Sequence, residues 1–413
     1  MGRRFLGTLL VLTFVMNMLA RGVTETFAVF LLPVQQGLDV TRAQITLTYS
    51  VYMLAYGLCA PFAGQLIDRF GARAAYGFGL VSLGSGYVLA GSATELWHYL
   101  LAAGFLGGLG SASLGMIAAS ALLSRWFTSR IGTVMSVPYA AIGAGMLILP
   151  PLTQLMLAST DWRTAHRLLG AGVLIMLPLI LLAPLKRFTA GSSEWQELRC
   201  RPASATAGPW TVATAVHTGA FWGLFAAYLF TSVAAYSVLP HSVAYLIEQG
   251  FNPLVAASSF GFTGMLSVFG ILAIGSLSDR FGRLYTASWS YLSTILGIGA
   301  LMLVSVWPSI ALVYAFVWFF GLMQGARGPI IIALVARLFP GGGVGTIYGT
   351  LSLAMGLGAG LGSWISGLLY ELTGGYIASF ALAIVAALAG LSIFWGVRSL
   401  REERVEPAAI SQF

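Results

Sequence analysis

The chain has 413 residues and a mass of 43.6 kDa, with 58% hydrophobic and only 8% charged side chains and a mean hydropathy of +0.87. A soluble domain carries nearer 25% charge, so this composition excludes a cytosolic globular protein, a disordered chain, a coiled coil and a disulfide scaffold. The net charge of +8 does not point to nucleic acid, because the 21 basic residues sit in short gaps between apolar runs rather than on one soluble segment.

A membrane-crossing helix needs about 20 mostly apolar residues. Stretches at 5–32, 44–67, 74–93, 97–124, 131–158, 165–185, 211–246, 253–277, 284–306, 309–336, 343–369 and 375–397 meet that length, which gives twelve spans. The first follows Arg3-Arg4, as a signal peptide would. It is too long for a signal core and lacks a small-residue cleavage site, so it is read as a retained span. With the N-terminus inside, 16 basic residues fall on the cytoplasmic side and only Arg42, Arg163 and Arg167 fall outside, with Arg21 and Arg327 left in the membrane. This bias sets both termini in the cytoplasm, and a bacterial inner membrane is the expected location. Cys59 and Cys200 lack metal-ligand spacing and are not expected to pair.

The chain repeats itself. Gly64-Gln-Leu-Ile-Asp68-Arg69-Phe-Gly71 between spans two and three returns as Gly275-Ser-Leu-Ser-Asp279-Arg280-Phe-Gly282 between spans eight and nine, 211 residues later. Nearly the same offset, 212 residues, relates Arg125-Trp-Phe to Arg337-Leu-Phe. Two six-helix halves, 1–185 and 211–400, are expected, joined by a polar linker at 186–210 and followed by a tail at 401–413. The fold class is all-α, a membrane protein of twelve transmembrane helices in two pseudo-symmetric bundles.

The pattern Gly64-x-x-x-Asp68-Arg69-x-Gly71-x-Arg73 resembles the signature loop of the major facilitator superfamily. Its echo at Gly275, Asp279, Arg280, Gly282 and Arg283 falls where that family repeats it. The resemblance covers essentially the whole chain. Asp68 and Asp279 lie at cytoplasmic helix ends, where they can pair with neighbouring arginines or cap the next helix, so these loops serve either as conformational latches or as topological anchors only. A second stretch, Arg125-Trp126-Phe127-x-x-Arg130-x-Gly132 with Gly143-x-Gly145 and Pro150, resembles the monocarboxylate transporters and the oxalate:formate antiporters, which carry organic anions. Those families hold basic residues in span eight, and the run from Gly264 to Ile274 holds none, so their site residues do not transfer to this chain.

Ionisable groups inside a membrane are costly and mark functional sites by default. Here they are Arg21 and Glu25 on span one, Arg327 on span ten, and His217 and His241 on span seven. The resemblance implies that spans one, four, seven and ten line a central cavity. Asn17, Arg21 and Glu25, spaced i, i+4, i+8, form one polar stripe flanked by Thr24. Arg21 would take an anionic substrate and Glu25 a proton, with the two free to pair within the helix. Arg327 follows Gln324-Gly325-Ala326 and precedes Pro329, which is expected to kink the span. It either offers bidentate carboxylate binding or snorkels to the cytoplasmic surface. Tyr49, Tyr52 and Tyr56, Tyr139, Tyr236 and His241 are further pocket candidates, as are Tyr314 and Trp318, although each of these side chains also serves as plain packing or interface belt.

No Walker A sequence and no clustered histidines or cysteines occur. Neither ATP, nor a cofactor, nor a metal, nor an enzymatic activity is expected. The expected function is secondary active transport of a small organic anion by alternating access, with proton coupling or exchange. The alternative is export of an amphipathic neutral or aromatic compound. The expected partners are the lipid bilayer, a small-molecule substrate and protons, with no nucleic acid, and the protein is expected to be a monomer.

Overall fold

A computed structural model describes residues 3–127, 131–182, 210–339 and 344–401, together with the single positions 185, 188 and 192. The linker 186–210, apart from 188, 192 and 210, and the tail beyond 401 lie outside the described residues, as do Lys186 and Cys200. All regular structure among the described residues is helical.

Span one comprises Arg3–Glu25 and Phe27–Leu38, interrupted at Thr26. A single helix then runs from Arg42 to Ala90. At 1.5 Å per residue its 49 residues would reach about 73 Å, more than twice the apolar thickness of a bilayer. It therefore cannot be one straight span. Gly71 turns the chain back at φ 83°, ψ 173°, a combination essentially confined to glycine. Residues 42–70 are thus span two and 72–90 span three. Span four is Leu96–Leu123, span five Ile131–Ser159 and span six Trp162–Leu182.

Span seven is Gly219–Tyr236 and Leu239–Glu248, and span eight is Pro253–Phe281. Span nine is Arg283–Leu303, span ten Ile310–Gly321 and Arg327–Leu338, span eleven Val344–Thr373, and span twelve Ile377–Gly396. The largest departure from the expected limits is the start of span seven. Its helix opens at Thr218, whose hydroxyl accepts from Phe221 N, and residues 212–215 form only a separate capped turn.

The repeat is visible in the backbone. Gly282 turns span eight into span nine at φ 86°, ψ 150°, as Gly71 does 211 positions earlier. Span one breaks at Thr26 and span seven at Ser237, again 211 apart. Span four breaks at Gly115 and restarts at Met116, while span ten breaks at Gly325 and restarts at Arg327, the counterpart of Met116. All four spans that the resemblance expects to line the cavity are therefore discontinuous. The break in span ten lies at Gly325, with φ 76°, rather than at Pro329. Pro329 stands in the first turn of the helix that follows, where no intrahelical donor is needed.

An even number of spans puts both termini at the end that carries the Gly71 and Gly282 turns, called here the loop end. Close approach of small residues packs the helices, as membrane interiors require. A Cβ on Gly22 of span one would stand 2.8 Å from Gly145 Cα of span five. Between the halves, span five lies on span eight, where a Cβ on Gly143 would stand 2.6 Å from the Gly264 carbonyl. Span two lies on span eleven, where Ser50 Oγ donates to the Gly360 carbonyl at 2.7 Å.

The far end is closed. Ala28, Val29 and Met146 of the first half share one apolar cluster with Val238, Val243 and Phe320 of the second. Arg42 of span two binds Glu248 at 2.8 Å and the Tyr376 hydroxyl, and Ala43 N donates to Glu371 at 2.6 Å.

Candidate functional site

The stripe on span one is the centre of the site. Arg21 Nη2 and Glu25 Oε1 stand 2.6 Å apart. Glu25 is almost fully buried, whereas 13% of the Arg21 side chain is exposed. One turn of helix brings the two together, and pairing reduces the cost of holding either in a low-dielectric interior. The Tyr49 hydroxyl reaches both carboxylate oxygens of Glu25, at 3.2 and 3.3 Å, and Arg21 Nη1 donates to the Tyr52 hydroxyl at 3.5 Å. Thr24 turns its hydroxyl back onto the Ala20 and Arg21 carbonyls, so it stiffens the helix rather than joining the pair.

Asn17 is fully buried and donates its amide Nδ2 to the carbonyl of Pro138 on span five. Tyr139, the next residue, is exposed toward the space between the halves and close enough to Tyr348 of span eleven to interact with it. Tyr236 of span seven brings the second half to the pair: its ring centroid is 5.9 Å from that of Tyr49, and it lies near enough to Arg21 to interact. Tyr52 and Tyr56 continue the aromatic wall, their centroids 6.2 Å apart. Behind Glu25, Thr24, Thr48, Tyr49, Tyr52, Tyr87 and Tyr99 line a cavity about the size of one water. Thr48 Oγ1 has no protein partner there.

Several expected members are elsewhere. Arg327 is buried and faces span nine, with its guanidinium 4.4 Å from the Tyr291 ring centroid and Nη2 donating to Thr294 at 3.1 Å. At 2% exposure it does not snorkel. A cation–π contact and a hydroxyl replace an acid partner, and this seat points it into the second half rather than toward Arg21. Gln324 lies in the break of span ten with its Oε1 unpartnered. His241 is sealed near the far end. Its Nε2 faces the Ser363 carbonyl at 3.0 Å and so carries the proton, which leaves Nδ1 to accept from Tyr376 at 3.4 Å. Tyr314 and Trp318 are exposed on the outer surface, where aromatic rings meet lipid, and do not line a pocket. His217 is exposed and hydrogen-bonded to its own turn, as an interfacial residue is.

At the loop end, Asp68 accepts from Arg125 Nη2 at 2.6 Å, which ties the span-two turn to the end of span four. Gly64, Arg69 and Arg73 lie along the same turn, with Arg69 exposed and Arg73 half-buried. In the second copy Arg280 is exposed above Phe281 and Arg283 is half-buried. Gly275 and Asp279 belong to the span-eight helix, but the side-chain position of Asp279 lies outside what is described.

Sequence reading missed the far-end bonds of Arg42. Its cation stands 4.3 Å from the Tyr370 ring centroid, besides its bonds to Glu248 and Tyr376. Arg42 is one of only three basic residues on its side of the membrane. That scarcity was the available signal.

Twelve spans, four of them discontinuous, around a buried polar stripe give the architecture of a secondary membrane transporter. The family model of the Major Facilitator Superfamily matches residues 10–320 and 270–412. Monocarboxylate transporter 13 of Rattus norvegicus is 27% identical over 92% of this chain and 86% of its own length. Monocarboxylate transporter 11 of Mus musculus is 30% identical over 86% and 79%. Among solved structures, a D-xylose–proton symporter superposes with a TM-score of 0.72 at 15% identity, covering 94% of this chain and 97% of that one. The chain belongs to the major facilitator superfamily, in its monocarboxylate-transporter branch.

Proposed function

We propose that this transporter carries a small organic anion, a monocarboxylate, together with a proton. The observation that carries the reading is the Arg21–Glu25 pair: buried, held by phenols of both halves, and partly open on the arginine side. While Glu25 is ionised the pair is neutral and Arg21 is occupied. Protonation of Glu25 releases the guanidinium, whose planar fork suits a carboxylate. Anion and proton then enter as a neutral couple, and neither crosses the apolar core as a bare charge. Arg21, Asn17, Tyr52, Tyr139 and Tyr236 form the binding wall of this reading, and Glu25 is its proton carrier. The names of the two monocarboxylate transporters agree with this substrate class.

Two six-span units, 1–185 and 211–400, rock about the glycine-rich contacts of span two with eleven and five with eight, with 186–210 as linker and 401–413 as tail. The basic residues favour a cytoplasmic loop end, so the conformation described faces inward. A single chain holds every group that the reading uses, so the working unit is a monomer.

The test is uptake of radiolabelled small monocarboxylates, neutral aromatics and organic cations into proteoliposomes under an inward proton gradient. Carboxylate uptake that Arg21→Gln abolishes supports the reading. Uptake confined to uncharged aromatics, equal in both proteins, overturns it in favour of export of amphipathic compounds. The tyrosine wall around Arg21 is the feature that favours that second reading.

A further inference from the structure

Asn17 is held in one orientation. Its side chain is fully buried and faces the Pro138 carbonyl, and only the amide nitrogen can make that bond, since an oxygen there would face an oxygen. The carboxamide oxygen is consequently fixed on the other side, and Asn17 Oδ1 has no partner within the protein. A buried acceptor left unpaired is costly, which makes it a selective feature when a ligand supplies the missing donor.

The surroundings of that oxygen belong to the substrate site. Arg21 stands one turn further along the same face of span one, about 6 Å away in Cβ spacing. On the opposite side is the break in span four. A Cβ placed on Gly115 would lie 3.4 Å from Asn17 Oδ1 and 3.8 Å from the Tyr56 hydroxyl, so both polar groups converge on the bare glycine. The helix Met116–Leu123 begins there. Its positive dipole end therefore adjoins Asn17 Oδ1 and the Tyr56 hydroxyl, an arrangement that attracts an anion.

We propose that Asn17 is a specificity-determining residue of the transport site, and that its fixed Oδ1 selects small carboxylates bearing a hydroxyl or amide N–H donor next to the carboxylate. The carboxylate lies between Arg21 and the start of the Met116–Leu123 helix. The neighbouring hydroxyl or N–H donates to Asn17 Oδ1. A carboxylate with a plain alkyl chain, or with a carbonyl at that position, leaves the oxygen unsatisfied and is rejected. Sites built to bond a substrate hydroxyl discriminate strongly against analogues that lack it, whereas apolar pockets discriminate weakly. This proposal rests on the carboxylate reading of the same site.

The test compares three acids of nearly equal size on the full-length protein in proteoliposomes: 2-hydroxypropanoate, propanoate and 2-oxopropanoate. In the wild type the hydroxy acid is expected to exceed both others in uptake efficiency by about tenfold or more. Asn17→Leu is expected to lose that preference and to handle the hydroxy acid and propanoate with similar efficiency, and monodisperse elution in detergent shows that the variant is folded. Tighter binding of the hydroxy acid is to be measured independently in the wild type against 2-methoxypropanoate, which keeps the oxygen and loses the donor. Equal handling of hydroxy, methoxy and unsubstituted acids by the wild type overturns the inference while leaving the carboxylate reading intact, as does an Asn17→Leu protein that keeps the preference. Failure of every acid to bind or move overturns both together.

Discussion

Arg42 and Glu248 belong to opposite halves of the molecule and meet at the far end, with Nη2 and Oε1 2.8 Å apart. Arg42 is buried, its cation lies over Tyr370, and Tyr370 donates in turn to Glu248 at 3.2 Å. The pair has to part each time the protein opens toward that side. Its strength therefore sets part of the balance between the two conformations.

Removing the pair is expected to shift that balance toward the conformation open at the far end. A charge-assisted hydrogen bond is worth about 1.5–3 kcal/mol, so Arg42→Gln or Glu248→Gln is expected to change the population ratio by about tenfold or more. Spin labels on far-end residues of opposite halves, read by pulsed dipolar spectroscopy, measure the separation directly. The charge-swapped protein, Arg42→Glu with Glu248→Arg, is expected to recover part of the closed population. Unchanged distances in the single variants refute a latching role.

The Asp68–Arg125 bond makes a contrasting prediction. Asp68 is 66% exposed, so water screens the pair despite its 2.6 Å length. Asp68→Asn is expected to lower unfolding stability by less than about 1 kcal/mol. Both partners lie in the first half, so the loss should show in the mobility of the turn at Gly71 rather than in the melting midpoint. Thermal melting together with hydrogen exchange across 64–75 separates these outcomes, and a large fall in the midpoint contradicts the account.

Gly71 and Gly282 hold the same backbone conformation 211 residues apart, at φ 83° and 86°. A side chain at either position meets steric strain of about 1–3 kcal/mol. Gly71→Ala and Gly282→Ala are each expected to destabilise the protein by about that amount, and by similar amounts, because the two turns are copies of one another. Denaturation in detergent, followed by tryptophan fluorescence, gives both values. A cost at one site only means that the backbone symmetry does not extend to the energetics.

The architecture was legible because length and apolarity alone define a span, and because one octapeptide recurs at half-chain distance. The polar stripe was legible for a similar reason: Asn17, Arg21 and Glu25 are rare residue types at helical spacing. The seats of Arg327 and His241 were not. Both positions depend on which way a helix is rotated, and rotation follows from packing against distant spans, here Tyr291 on span nine and Ser363 on span eleven. The breaks at Thr26 and Ser237 were hidden because neither residue is a helix breaker. They emerge only when the 211-residue offset is applied to the whole backbone.

Glu25 gives the most direct test of coupling. Glu25→Gln keeps the side-chain shape and an oxygen able to accept from Tyr49, but it has no titratable proton and no longer occupies Arg21 as an ion. The guanidinium is then free at every pH. The variant is expected to exchange labelled for unlabelled carboxylate across vesicles at a rate within about an order of magnitude of the wild type, since exchange needs only the loaded carrier. Accumulation driven by a pH gradient is expected to vanish, because the step that ties anion arrival to proton arrival is gone. Arg21→Gln is expected to lose exchange and accumulation together. Preloaded counterflow and gradient-driven uptake, measured on the same vesicles, distinguish the two variants. Gradient-driven accumulation that persists in Glu25→Gln places the coupling proton on another group and removes Glu25 from the mechanism.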